Sequence, residues 1–218
     1  ANFTAAPVLE NYYPNPGVGA DLSDMLPGAD KTLHALWERG LLERAVLELS
    51  NKNFYLYRMH PTLRIFAKTN LTDIDSIIEN YWQSMNNLVV VAQGEIAKSP
   101  FWARITWYAI PDLIIAAKSK DDDKSAYLQF GVGRFLMQFC EYDEALRLLT
   151  LSHNNLEHLG MRKEMAVTLG EMATIFMRKG NVEEALKLYE EKLKVIRELG
   201  VNDIEESITM GNIAQIYV

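Results

Sequence analysis

Apolar residues recur along the second half of the chain with the spacing of helices that each bury one face. From Met165 to Lys179 they fall at every third or fourth position, which is typical of an amphipathic helix. Gly180 interrupts the pattern, and helical spacing resumes from Val182 to Ile196. Gly200 then lies where a helix stop is expected. This segment is therefore predicted to be two helices joined by a short turn.

The pattern is repeated along the chain. Tyr142-Asp-Glu-Ala-Leu146 matches Val182-Glu-Glu-Ala-Leu186 in the next unit. A further unit begins at Thr209–Tyr217, which matches Thr168–Phe176. The number of residues between these two segments is nearly the same as that between the first two. A fixed period of this kind is typical of helical repeat proteins, in which each helix pair stacks on the next.

Small and bulky residues alternate at fixed places in these units. The small residues recur at one position and the bulky residues at another position one turn later: Gly133, Ala173 and Ala214, and Leu136, Phe176 and Tyr217. This alternation resembles the tetratricopeptide repeat, in a form about 40 residues long. The resemblance covers residues 125–218, with two complete units and a third that is truncated. It implies an α-solenoid whose concave face binds a protein or peptide.

Residues 1–70 have a different pattern. Asp30 is placed to cap a short helix that ends at Gly40. Two apolar runs follow, Ala45–Leu49 and Phe54–Tyr57, separated by a polar segment that predicts a short β-hairpin. Pro61 can then begin another helix, because the first turn of a helix tolerates the missing N–H group. Helix, hairpin and helix in this order are the outline of a winged helix.

Two stretches of this segment resemble the winged-helix domain of STAND-class signalling NTPases. They are Leu33–Glu43 and Tyr57–Arg64, the second of which contains Met59-His60-Pro61. The NB-ARC branch of that class has Met-His-Asp at this place, and its histidine contacts the β-phosphate of ADP. Members that carry tetratricopeptide repeats have His-Pro, so the proline indicates a subfamily. The resemblance implies that His60 binds nucleotide; the alternative is a histidine that caps the helix before Pro61.

No Gly-x-x-x-x-Gly-Lys-Ser/Thr phosphate loop occurs in the sequence, so this chain by itself is not expected to hydrolyse nucleotide. The resemblance implies an NTPase domain in cis, before Ala1, and ADP or ATP as the ligand of the parent protein. Within residues 1–218 no cofactor is expected. The chain begins without Met and ends within an apolar helical run, so we expect it to be a piece of a longer protein.

Residues 71–124 are expected to connect the winged helix, residues 1–70, to the repeats, residues 125–218. Two helices are predicted there, from Ile74 to Val91 and from Trp102 to Ala117, with a kink at Pro111. Four aromatic residues are expected to be core residues that join the winged helix to the solenoid: Tyr81, Trp82, Trp102 and Trp107. The whole chain is therefore predicted to be mainly α, with a small winged-helix domain followed by an α-solenoid.

Charge and cysteine content limit the choice of partners. The net charge is -7, and residues 1–70 carry seven acidic and seven basic side chains. A protein that neutralises several phosphates needs a surplus of cations, so nucleic acid is not an expected partner. No apolar run reaches the roughly 18–20 residues that span a bilayer, so no membrane association is expected either. A single cysteine, Cys140, suggests a reduced, cytoplasmic setting.

Catalytic and metal-binding constellations are not predicted. His153 and His158 are separated by more than one helical turn, which places them about 140° apart around a helix, so they cannot bind the same metal ion. Cys140 precedes Glu141, and a neighbouring carboxylate disfavours a reactive thiolate. No paired acid and base or activated nucleophile is apparent, so we do not expect this segment to be an enzyme.

The concave face of the solenoid is the predicted binding surface. Projecting the repeat pattern onto the chain assigns it Tyr127, Phe130, Arg134, Met137, Gln138, Val167, Thr174, Met177, Arg178 and Gln215. Arginines among aromatic and methionine side chains suit an acidic or peptide ligand, although solvated helix residues would have the same composition.

The predicted function is that of a sensor within a STAND-type ATPase: the winged helix contacts the nucleotide and the repeats detect a trigger or partner. The alternative is an adaptor that binds proteins without involvement of nucleotide. A DNA-binding regulator is less favoured, because it would require a basic element outside residues 1–218.

Overall fold

The computed structural model describes residues 4–5, 29–49, 52–59, 74–95, 100–119, 125–200 and 203–217. In these ranges the chain is mainly helical, with one small sheet. It divides into two compact units, Ala1–Ala116 and Ala117–Val218. Within the described ranges, no helix combines the length and the apolar character needed to cross a membrane.

The first unit contains a three-stranded antiparallel sheet of order β1–β3–β2. The strands are β1 (Thr4–Ala5), β2 (Leu42–Leu49) and β3 (Lys52–Met59). Leu49 pairs with Lys52, so the predicted hairpin is confirmed. Its strands are longer than predicted, because the hydrogen bonds of a ladder join backbone groups and so extend through polar positions such as Lys52.

Helix α1 (Ala29–Glu38) precedes the hairpin and contacts β2. The prediction that Asp30 is its N-cap is wrong, because the helix begins at Ala29 and Asp30 is its second residue. The predicted stop is confirmed at Gly40, whose φ of +72° is left-handed and suits glycine. The N–H groups of Gly40 and Leu41 bond to carbonyls in the last turn, at 2.8 and 2.9 Å.

Arg44 joins the hairpin to α1. Its guanidinium carbon lies 3.5 Å from the ring centroid of Trp37 in α1 and 4.6 Å from that of Tyr55 in β3. Cation–π contacts of this kind contribute about 0.5–2 kcal/mol each. The cation therefore lies between two aromatic rings and helps to fix the hairpin on the helix.

Helices α2 (Ile74–Glu95) and α3 (Pro100–Lys118) complete the first unit, with the last residues of α3 entering the second. Both predicted helices are confirmed, and Pro100 is the first residue of its helix, where no N–H bond is lost. The Tyr81 hydroxyl donates a hydrogen bond of 2.8 Å to the backbone carbonyl of Asp112. Because Asp112 follows Pro111, this bond ties α2 to the proline-containing turn of α3.

Each of these helices buries one face. The buried residues of α2 and α3 include Trp82, Met85, Leu88, Val89, Ala92, Thr106, Ala109, Ile110 and Leu113. Trp82 is therefore a core residue, as predicted. The prediction for Trp107 is wrong, because half of its surface is exposed. It lies about 100° around the helix from Thr106, at the edge of the buried face.

The second unit is a row of helices, each of which contacts the next along the chain. They are α4 (Ser125–Gln138), α5 (Tyr142–His158), α6 (Arg162–Arg178), α7 (Val182–Leu199) and α8 (Asp203–Ile216). Helices α4 and α5 form the first repeat, α6 and α7 form the second, and α8 is the first helix of the third. This arrangement agrees with the predicted stack of helix pairs.

The turns between these helices recur at a regular spacing, one after each helix. Cys140, Gly160, Gly180 and Gly200 have φ values of 62°, 65°, 77° and 61°, all in the left-handed region. The N–H of Gly180 bonds to the carbonyl of Met177 at 3.0 Å, so the turn satisfies a carbonyl at the end of α6. Cys140 adopts this conformation despite its side chain, at a cost that glycine avoids.

Small residues allow the helices of each repeat to approach closely. A Cβ atom at Gly133 in α4 would lie 2.8 Å from Cγ of Leu149 in α5, so no larger residue fits there without a shift. In the second repeat Ala173 of α6 packs with Ala185 and Tyr189 of α7 in one buried cluster. The small residues that recur in the sequence therefore lie at the crossings of both helix pairs.

Candidate partner-binding surface

The structure brings part of the predicted binding surface together where α4 faces α6. Arg134 of α4 forms an ion pair with Glu171 of α6, with Nε and Oε1 3.0 Å apart. The guanidinium of Arg134 also lies 5.7 Å from the ring centroid of Phe130, one turn earlier. Both charged side chains are partly exposed. We call this surface, defined by Tyr127, Phe130, Arg134, Glu171 and Arg178, the α4/α6 face.

Two further contacts extend this face along the helices. The hydroxyl of Tyr127 donates to Sδ of Met161, just before α6, at 3.5 Å. Near the other end of α4, Nη1 of Arg178 donates to the backbone carbonyl of Met137 at 3.5 Å. An aromatic ring and two guanidinium groups are thus held at defined places while remaining accessible to a partner.

The other predicted surface residues differ in exposure. Gln138, Val167 and Gln215 are exposed, whereas Met137 exposes only 5% of its surface and has little to offer a partner. The hydroxyl of Thr174 donates to the carbonyl of Gly170 at 2.9 Å and lies 3.1 Å from the Tyr189 hydroxyl of α7. Thr174 therefore faces the other helix of its own repeat.

Met177 packs in the same direction. It lies against the buried cluster that joins α6 to α7, together with Phe176 and Leu188. The projection of the repeat pattern assigned Thr174 and Met177, together with Arg178, to the concave face. In the structure both residues pack towards α7, so the α4/α6 face does not include them.

A cleft of about 60 Å³ lies among α6, α7 and α8. Its walls are almost entirely apolar, with a few charged groups at the edge. The lining residues are Lys163, Ala166 and Val167 of α6, Lys192, Ile196 and Leu199 of α7, and Glu205 of α8. Ala166 and Ile196 are also members of the core cluster between the two repeats, so the floor of the cleft is well packed.

Lys192 is an unusual residue in this cleft, because it is a lysine that exposes only 7% of its surface. Its Nζ atom lies 3.2 Å from Oε2 of Glu205. The side chain crosses α6 at Gly170, where a Cβ atom would lie 3.0 Å from Nζ. The missing side chain of Gly170 therefore provides the path by which Lys192 reaches α8.

The perturbed carboxylates of the second unit lie outside this surface, in ion pairs on the helix surfaces. A hydrogen bond from the ammonium group of Lys179 holds the pKa of Asp143 below its ordinary value. A hydrogen bond from Arg162 lowers the pKa of Glu198 in the same way. Asp143 and Lys179 belong to different repeats, so the pair joins the start of α5 to the end of α6.

The histidines and the cysteine of the second unit belong to no metal-binding cluster. In the part of the chain that the structure describes, no three His, Cys, Asp or Glu side chains are grouped so that they could hold a metal ion. His153 is half-buried and His158 is exposed in the last turn of α5. Cys140 is exposed, and the Tyr142 hydroxyl lies 3.5 Å from its sulfur.

His60, the residue predicted to contact nucleotide, lies outside the described residues. Its role, the winged helix around it and the association with an NTPase domain stay predictions.

The projection of the repeat pattern missed three charged residues of this region. Glu171 holds Arg134, and the buried Lys192 pairs with the partly exposed Glu205. The sequence did contain one signal, because Lys192 aligns with Ser152 when the second repeat is aligned with the first. A lysine at a position that a small residue occupies in the neighbouring repeat indicates a special environment.

The family comparison agrees with the repeat geometry. A tetratricopeptide repeat family model matches residues 164–218, which span most of α6 together with α7 and α8. No curated protein shows significant similarity to the chain. The predicted tetratricopeptide repeats are therefore confirmed for residues 164–218.

Proposed function

We propose that the helical repeats of this chain bind a protein or peptide partner without catalysing a reaction on it. The observation that carries the proposal is the α4/α6 face, where accessible arginine and aromatic side chains lie on two neighbouring repeats. Tetratricopeptide repeats typically bind proteins or peptides and are generally non-catalytic. Arginine and tyrosine are also the residue types that contribute most to binding at protein interfaces.

The contacts within the face favour binding because they reduce the conformational entropy that its side chains lose when a partner binds. Arg134 is held between Glu171 and Phe130 before any partner arrives. An arginine that is already oriented loses less conformational freedom on binding than a mobile one. We therefore expect a partner that offers carboxylate groups to Arg134 and Arg178.

The test begins with peptides selected from a displayed random library on the full chain. For a selected peptide, the double substitution Arg134→Ala and Arg178→Ala is expected to weaken binding by about tenfold or more. Arg147→Ala is the matched control, because Arg147 is an exposed arginine on α5 whose ion pair is with Glu144 of the same helix. Equal affinity for the double variant and the wild type would contradict the proposal.

We propose further that the chain is the sensor portion of a STAND-type signalling ATPase in the cytoplasm. The order of the described elements supports this proposal: α1 and the β2–β3 hairpin are parts that a winged helix contains, and helical repeats follow them. In this proposal His60 contacts the β-phosphate of ADP held by an NTPase domain in cis. Binding of a partner to the repeats would then shift the equilibrium between a closed and an open form.

This finer proposal is tested on the protein that contains the phosphate-loop domain. His60→Ala is expected to release ADP more readily than the wild type, measured as the nucleotide retained after gel filtration. His34→Ala is the control, because His34 is an exposed histidine of the same unit. Equal ADP retention by the His60 variant would exclude the role, and partner binding that is indifferent to ADP would favour the adaptor.

A further inference from the structure

The cleft among α6, α7 and α8 is open because the residue at its mouth is short. That residue is Val167, and its counterpart at the same position of the first repeat is Tyr127. The ring of Tyr127 extends from α4 towards the start of α6, where its hydroxyl contacts Met161. Val167 cannot reach across in this way, so an apolar space is left uncovered in the second repeat.

The size of the space indicates what it can hold. A volume of about 60 Å³ corresponds to roughly four water positions, which is also the space of a branched aliphatic side chain. Water in such a site would find few hydrogen-bond partners, because Ala166 and Ile196 form the floor. Displacing that water with an apolar group is therefore favourable.

The charges at the edge of the cleft are unequal. Lys163 is exposed and forms no ion pair with any residue in the described ranges. The ammonium group of Lys192 is paired with Glu205, so this second cation has one carboxylate partner. Two cations and one carboxylate leave a positive edge, which is complementary to an acidic group next to the apolar side chain.

We propose that this cleft binds a branched aliphatic side chain of a partner protein, with acidic residues flanking it in the partner sequence. The proposal rests on the proposed function, because it names the chemistry that the repeats recognise. The apolar side chain enters the space that Tyr127 occupies in the first repeat, and a flanking carboxylate pairs with Lys163. A basic flank is disfavoured, because it would bring a like charge to Lys163.

The probes are short peptides with a central residue and charged flanks. The first is acetyl-Gly-Asp-Asp-Leu-Asp-Asp-Gly-amide; a second has Ala at the centre, and a third has Lys flanks. Binding to the full chain is followed by the methyl NMR signals of Val167, Ile196 and Leu199. We expect the first peptide to shift these signals, and each of the other two to bind about tenfold more weakly or worse.

Val167→Tyr is the decisive variant, because it copies the residue that the first repeat uses at this place. It is expected to fill the cleft and abolish the shifts of Ile196 and Leu199. Val182→Tyr is the matched control, since it places the same ring at an exposed valine of α7 that does not line the cleft, and it is expected to retain binding. Lys163→Glu is a second variant, at an exposed residue, and it is expected to reverse the preference from acidic to basic flanks.

The outcomes separate this proposal from the proposed function. Library peptides that bind the α4/α6 face while none perturbs the cleft signals would overturn the cleft proposal alone. Absence of binding by every peptide would overturn both. Cleft signals that shift with protein concentration in the absence of peptide would identify a second copy of the chain as the occupant, which also contradicts the proposal.

Discussion

The two complete repeats have the same succession of helices and turns but are stabilised differently inside. In the first repeat, buried amide and hydroxyl groups join the helices. Asn155 Nδ2 donates to Gln129 Oε1 at 3.0 Å, and the Ser152 hydroxyl donates to the carbonyl of Ala126 at 2.8 Å. Gln129 Nε2 also donates to the carbonyl of Ala117, in the last turn of α3, at 3.1 Å.

In the second repeat the positions of Gln129, Ser152 and Asn155 are occupied by Leu169, Lys192 and Val195. Apolar packing replaces the hydrogen bonds, and the cation of Lys192 is directed towards α8 instead of its own repeat. The difference shows that the internal contacts of a repeat depend on its position in the stack. The first repeat has to satisfy carbonyl groups at the end of the preceding helix, and the second provides a cleft with a charged edge.

The largest expected effect concerns the crossing of the first repeat. Leu149 is fully buried, and Leu149→Ala is expected to lower the free energy of unfolding by about 2–5 kcal/mol. Gly133→Ala alone is expected to cost about 1–3 kcal/mol, because its Cβ would collide with Leu149. The measurement is urea denaturation followed by far-UV circular dichroism.

The double variant of Gly133 and Leu149 gives the sharper test. Once Leu149 is alanine, the collision is gone, and Gly133→Ala should stabilise the helix by up to about 1 kcal/mol. The sign of its effect is therefore expected to reverse between the two backgrounds. Simple additivity of the two substitutions would contradict the close approach described at this crossing.

The next effect concerns the buried amides. Asn155→Val introduces the residue of the second repeat and leaves the Gln129 carbonyl oxygen without this donor. We expect a loss of about 1–3 kcal/mol in the free energy of unfolding. Adding Gln129→Leu should recover only part of the loss: both partners are then apolar, as Leu169 and Val195 are, but the carbonyl of Ala117 loses its donor. A double variant that is less stable than Asn155→Val would show that the apolar pairing of the second repeat cannot be transferred.

Substitutions in the turns are expected to have smaller effects on stability. Gly180→Ala is expected to cost about 1–2 kcal/mol, because alanine is strained at a positive φ. Cys140→Gly should have the opposite sign and stabilise the chain by up to about 1 kcal/mol. Gly211→Ala is the control: Gly211 lies within α8, and a Cβ there meets open space, so alanine should stabilise. Thermal denaturation measures all three, and a Cys140→Gly variant that melts earlier would refute the strain at this turn.

The smallest effect is electrostatic. The pKa of Asp143 in the folded chain lies below its ordinary value of 3.8, so the pair with Lys179 stabilises the fold above that pH. This stabilisation is lost as the pH falls through the lowered pKa. Lys179→Met should raise the pKa of Asp143 towards 3.8 in a carboxyl ¹³C NMR titration, while that of Glu198, held by Arg162, stays low. An unchanged pKa for Asp143 would show that the ion pair does not form in solution.

Much of the local structure could be predicted from the sequence, because it depends on neighbouring residues. The helix stops at Gly40, Gly180 and Gly200 follow from the freedom of glycine at positive φ. The hairpin follows from two apolar runs around a polar turn, although its strands extend further than the side chains suggested. Cys140 is an exception, because its residue type does not predict a positive φ. Its backbone conformation follows from its position in the repeat.

The candidate binding surface could be predicted less completely, because a helical projection gives the direction of each side chain but not its neighbours. It correctly grouped Arg134 with Phe130, and these two are in contact. It could not show that Thr174 is directed towards Tyr189 or that Met137 is buried, since both depend on how closely the next helix packs.

By itself, the sequence determined the helices, the regular spacing of their turns and the small residues at their crossings, since these are properties of local periodicity and residue size. Only the tertiary structure decided how those helices create a surface. Lys192 became a buried cation because Gly170 leaves it a path to Glu205. The cleft beside it is formed where residues of α6, α7 and α8 meet, and Val167 lines it at the position that a tyrosine occupies in the first repeat.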